Sequence, residues 1–108
     1  MGQRLLAYNQ NMKAVMIILD QAHYEQIVDD LARLNIRGFT SWKEVLGRGS
    51  QTGLPHYGSH AWPSLNNAIL TVVEEHRVQP LLDYLKKLDE EHQNLGLRAF
   101  VWNIENVI

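Results

Sequence analysis

Apolar and polar positions follow two periods along this chain, and the periods take turns. Residues 14–19, Ala-Val-Met-Ile-Ile-Leu, and residues 68–73, Ala-Ile-Leu-Thr-Val-Val, are short, β-branched apolar runs of strand length. Each is followed by a helical pattern. Tyr24, Ile27, Val28, Leu31 and Leu34 fall at i, i+3, i+4, i+7 and i+10, and Val78, Leu81, Leu82, Leu85 and Leu88 repeat that spacing. Each set makes one apolar stripe on an amphipathic helix. Runs and stripes recur at a single offset of 54 residues (14 to 68, 24 to 78), so the chain reads as an internal repeat.

Asp20 is placed to cap the first helix, with its carboxylate accepting from orphan N–H groups, and Gly38 lies just past that helix's end. Pro80 has no N–H to donate and fits only in the first turn of the second helix. Each helix leads into a second strand-like run, residues 38–46 and 97–104. The order βαβ–βαβ predicts an α+β, ferredoxin-like βαββαβ sandwich. Its halves are joined by residues 47–66, where Gly47, Gly49, Gly53, Pro55, Gly58 and Pro63 mark a loop. A loop of that length inside a small domain calls for a functional explanation.

The pleat sends Val15, Ile17 and Leu19 to one face of the sheet and Ala14, Met16 and Ile18 to the other. Ile69, Thr71 and Val73 likewise oppose Ala68, Leu70 and Val72. Both faces are largely apolar, and two helices cover only one. Burial is worth about 25 cal/mol per Å², so the second face predicts a homo-oligomer packed sheet against sheet, the alternative cover being the N-terminal arm or the long loop.

Composition narrows the chemistry. The 108 residues contain no Cys, which excludes thiolate metal sites, thiol catalysis and disulfides. A net charge of −2 without a basic stripe argues against nucleic acid as a partner. No apolar run is long enough to enter a membrane as a spanning helix, and the expected compartment is the cytoplasm. Residues 1–11 lack the long apolar middle of a secretory signal and read as an N-terminal arm, a tag or an upstream start. A single domain is expected over 12–108.

Gly38-Phe-Thr40, Glu44-Val45 and Gly47-Arg-Gly-Ser-Gln-Thr-Gly53 resemble the start of the T-loop in the PII signal-transduction proteins of nitrogen regulation. The pattern there is Gly-x-Thr, Glu-Val and Gly-x-Gly-x-Gln-x-Gly. This chain has one additional residue between Thr40 and Glu44. Gly96-Leu-Arg98-Ala-Phe-Val101 resembles the end of the same family's B-loop and its fourth strand.

The resemblance implies a homotrimer, not an enzyme. It implies adenine nucleotides (ATP, ADP or AMP), often with 2-oxoglutarate, bound in clefts between subunits. It also implies a protruding loop, here residues 53–66, that docks on a target transporter or enzyme. By analogy Thr40, Gly47, Arg48, Gly49, Gln51 and Arg98 line the cleft. The chemistry is reasonable on its own terms. Glycines let backbone N–H groups approach an anion closely, Gln51 offers an amide oxygen and two donors, and Arg48 and Arg98 suit phosphate oxygens.

Some of the family's cations are missing. No Lys stands before the third strand, where Pro63-Ser-Leu-Asn-Asn67 runs instead. The B-loop is short, and the chain stops at Ile108 without the family's Arg-bearing extension. Each missing cation removes a charge-assisted bond to a triphosphate. A mononucleotide or another small anion is therefore expected to fit better than ATP with 2-oxoglutarate. Tyr57 stands near a position modified in some members, although its flanking residues match poorly.

A rival reading is a metal-binding trimer of the same fold, like the copper-tolerance CutA family, holding a divalent metal with His56 and His60 and completed by Glu44 or a neighbour's His. A third is a small ferredoxin-fold enzyme, for which no acid/base constellation or nucleophile-elbow motif is visible. His23, His76 and His92 are scattered at helix ends and read as surface residues.

Overall fold

The computed structural model describes residues 11–48, 55–56, 65–92 and 96–108. Along the chain run β1 (Met12–Asp20), α1 (Tyr24–Arg33), β2 (Thr40–Val45), β3 (Gly47–Arg48), β4 (Pro55–His56), β5 (Asn66–Glu74), α2 (Val78–Glu91) and β6 (Arg98–Asn103). Four strands make one antiparallel sheet in the order β2–β5–β1–β6, the ferredoxin-like topology expected from the repeat. The repeat is visible in the register. Met16 stands opposite Leu70, two residues related by the 54-residue offset, so a pseudo-twofold axis passes between them. The short 3-10 turns Gln21–His23 and Glu75–Arg77 obey the same offset.

The covered face is a continuous core. Val15, Ile17 and Leu19 of β1 and Ile69 of β5 are fully buried against Ile27 and Leu31 of α1 and Leu81 and Leu85 of α2. Leu88 and Ile36 close its ends. The one hydroxyl among these positions, on Thr71, donates to the Gly38 carbonyl at 2.6 Å. A buried polar group is tolerated when it is bonded in this way.

The helices start and stop on local chemistry. Asp20 accepts from the Ala22 N–H at 2.8 Å, capping the 3-10 turn rather than α1 itself, whose N-cap residue His23 supplies no side-chain bond. Pro80 sits in the first turn of α2, where no donor is needed. α1 is closed by Asn35, just past its C-cap, and not by Gly38. Asn35 takes φ 61°, the Ile36 N–H donates to the Leu31 carbonyl at 2.8 Å, and the Asn35 N–H donates to Ala32 at 3.0 Å. This is a Schellman stop, with Ile36 and Leu31 both in the core. Asn competes well with Gly for the left-handed position because its short polar side chain tolerates it.

The helices are tied by the Tyr84 hydroxyl, which donates to Asp30; Asp30 also accepts from Arg33 Nη1 at 2.9 Å. Burial, and then the Asp30 carboxylate, push the Tyr84 phenol well above its ordinary value. Among the described residues no helix is long and apolar enough to cross a membrane.

Candidate functional site

In an antiparallel ladder, directly paired residues share a face. The register therefore maps the open side of the sheet. One row runs Thr40–Leu70–Met16–Phe100, the next Trp42–Ala68–Ile18–Arg98, and a third Val72–Ala14–Trp102. Small Ala14 and Ala68 are screened by larger neighbours, while Trp42, Phe100 and Trp102 stand 46%, 53% and 45% exposed. Trp42 and Trp102 occupy pseudo-symmetric positions, since their partners Ala68 and Ala14 are related by the repeat. The result is a broad apolar surface with no covering element among the described residues.

Thr40 and Arg98 both belong to this open face, but to opposite edges of it: Thr40 on β2, Arg98 at the start of β6. Three strand spacings of about 4.8 Å each separate those edges. One chain does not bring the two residues together. β2 and β5 carry the sheet into the long loop, whose base is a two-residue ladder pairing Gly47 with His56 and Arg48 with Pro55. Gly47 and Arg48 are thus held in extended backbone directly after β2. Gly49, Gln51, Tyr57 and His60 lie outside the described residues, so the predicted His56–His60 pair has only His56 placed, opposite Gly47. Among the described residues no group of three metal-ligating side chains gathers.

β2 breaks its pairing with β5 at one point. Trp42 pairs with Ala68 and Val45 with Asn66, so three steps on β2 oppose two on β5. This β-bulge places Glu44 at φ 60°. Buried Asn67 steadies it by accepting from the Glu44 N–H at 3.3 Å. Beside the bulge, Tyr24 and Ser41 share a hydroxyl hydrogen bond of 2.8 Å, and Lys43 Nζ lies 5.7 Å from the centre of the Tyr24 ring. Gln21, Glu25, Glu44 and Asn67 complete a shallow recess there, with charges of both signs and no convergent donor set.

One association escaped the sequence reading. His23 and His92, which read as scattered surface residues, meet with ring centroids 4.7 Å apart. His23–His92 and Asp30–Tyr84 together show that α1 and α2 run antiparallel. The signal was available in principle, because a ferredoxin-like topology lays the start of one helix beside the end of the other.

Three comparisons with known proteins bear on this geometry. The family model described as nitrogen regulatory protein P-II matches residues 12–108. No curated protein matches the chain. Among solved structures, the chain is similar to CPII, a nitrogen regulatory PII-like protein from Thiomonas intermedia K12. With CPII bound to ADP and bicarbonate, identity is 31% over 84% of this chain and 83% of that one, with a TM-score of 0.67. With CPII bound to ADP, AMP and bicarbonate, identity is 29% over 83% and 88%, with a TM-score of 0.66. The GlnK–ATP complex of B. subtilis shares the fold, with a TM-score of 0.68 at 21% identity over 93% of this chain and 87% of that one.

Proposed function

The chain belongs to the family of the nitrogen regulatory protein P-II, and from that membership we propose that it is a regulatory trimer that binds an adenine nucleotide together with a small anion between subunits. The observation that carries this reading is the split of Thr40 and Arg98 between opposite edges of one open apolar face. A cleft using both is built from the β2 edge of one copy and the β6 edge of another. Packing the open faces of three copies together supplies that juxtaposition and removes the exposed Trp42, Phe100 and Trp102 from water.

Within the cleft, Thr40 and the backbone N–H groups of Gly47 and Gly49 approach the nucleotide. Arg48 and Arg98 take its phosphate oxygens in charge-assisted bonds. Gln51 and the Gly run cradle the small anion. The relatives bound to ADP, AMP and bicarbonate make a di- or monophosphate with bicarbonate the best-supported pair. Ligand contacts at the loop base bias the conformation of residues 53–66, which dock on a target transporter or enzyme. The role is regulatory rather than catalytic, exercised in the cytoplasm on a single domain spanning 12–108.

Calorimetry with ADP, AMP and ATP, each with and without bicarbonate, tests this. ADP or AMP is expected to bind below about 100 μM, a gain of roughly 5.5 kcal/mol, more tightly with bicarbonate present. Arg98→Ala is expected to lose at least tenfold in affinity with assembly intact. Silence with all three nucleotides would overturn the proposal.

A further inference from the structure

Because α1 and α2 run antiparallel, the start of one lies beside the end of the other, and two imidazoles meet there. His23 closes the 3-10 turn before α1, and His92 follows the last residue of α2. Their ring centroids are 4.7 Å apart, with the planes tilted by 50°. Both side chains are partly buried. His23 contributes no capping bond to α1, and among the described residues neither imidazole is in a hydrogen bond or ion pair. His76, by contrast, stands 3.6 Å from Glu74. Two partly buried rings drawn from distant parts of the chain, in contact and without another polar partner among the described residues, bring four ring nitrogens into one small region.

We infer that His23 and His92 form a two-histidine site for a divalent transition ion, with copper preferred over nickel and zinc. Imidazole suits all three ions, and copper leads in the usual affinity order. The spacing agrees. With metal–nitrogen bonds of about 2.0–2.1 Å, two imidazoles on one ion have centroids about 4.5 Å apart in a cis square-planar arrangement and about 5 Å apart in a tetrahedral one. The observed separation falls between these values. No third His, Asp or Glu joins the pair among the described residues, so water fills the remaining positions. Protons compete for the ring nitrogens, so binding weakens as pH falls. The site is distinct from Thr40 and Arg98, which belong to the open face of the sheet. Its bound ion staples the two helices at the end from which the chain runs through residues 93–97 to Arg98.

The test uses the full chain in a non-coordinating buffer, titrated with Cu²⁺ and then Zn²⁺. A His56→Gln/His60→Gln background removes the loop histidines. One Cu²⁺ per chain is expected to bind in that background, with two imidazole nitrogens in its electron paramagnetic resonance spectrum. Copper should raise the melting temperature by about 5 °C when it is well in excess of the dissociation constant. His23→Gln and His92→Gln should each weaken binding at least tenfold and abolish the thermal shift. His92→Asn accompanies His92→Gln, and far-UV circular dichroism without metal verifies that each variant is folded. Three results would overturn the assignment: undiminished copper affinity in the folded His23→Gln/His92→Gln double variant, binding that vanishes with the loop histidines alone, or no binding at 100 μM metal.

Discussion

On one side of β1, Val15, Ile17 and Leu19 are sealed beneath two helices; on the other, Met16 and Ile18 lie in a surface edged by Trp42, Phe100 and Trp102. The side chains on the two sides are similar in kind, so apolarity alone does not separate core from interface. The difference lies in what each face is given to pack against. Among the described residues the two helices are the covering elements, and both lie on the first face. The second has the same hydrophobic driving force, about 25 cal/mol per Å², and no cover among the described residues. The proposed trimer gives that second face its cover.

The largest test of this contrast is a charge on the open face. Phe100→Glu is expected to convert an assembly of about three times 12.5 kDa into 12.5 kDa monomers with helical content retained, read by sedimentation velocity and circular dichroism. An assembly that survives the substitution would show that this face is not the one buried between copies. On the covered face, Leu31→Ala should cost about 2–5 kcal/mol in urea unfolding, because the fully buried side chain leaves a cavity beneath α1. A cost below 1 kcal/mol would erase the distinction between the faces.

Tyr84→Phe sharpens the contrast further, since it loosens the helical cover without touching the sheet. Loss of the hydrogen bond to Asp30 should cost about 1–2 kcal/mol. The same residue sets an alkaline dependence. Its phenol is raised in the folded state, so its stabilisation is complete below the unfolded value of 10.0 and is lost as pH climbs above that toward the folded value. Unfolding followed from pH 8 to 11 should show stability falling at the top of the range, and Tyr84→Phe should flatten that fall. The smallest effect is expected at the bulge. Glu44→Gly removes a side chain from a left-handed position and should change stability by no more than about 1 kcal/mol, read in the same urea titration.

Much of this was legible in the residues. Two apolar runs and two helical stripes at one offset predict the strand order, the core stripe Ile27–Leu31–Leu81–Leu85 and the uncovered face, because period and parity are properties of the backbone. Asn35 and Gly38 both suit the left-handed position that closes α1, and only the Leu31–Ile36 bond shows that Asn35 takes it. The candidate site was half legible. The motif marks Thr40 and Arg98, but that they lie on opposite edges of one face emerges only from the register. The meeting of His23 and His92 was hidden for a related reason: helix ends far apart in sequence become neighbours through the fold, and no local pattern announces it.

The bulge in β2 has a quieter consequence. A strand behaves like a ratchet with two teeth per turn, and one surplus residue ordinarily swaps inside for outside from there onward. In an unbroken pleat, the place across from Asn66 would have fallen to the carboxylate of Glu44, on the same face as Trp42. The ratchet skips one tooth instead, Glu44 is turned aside, and Val45 takes the seat. β2 takes up one residue more than its partner while Val45 keeps the face of Trp42, so length can change at this corner without turning the strand over.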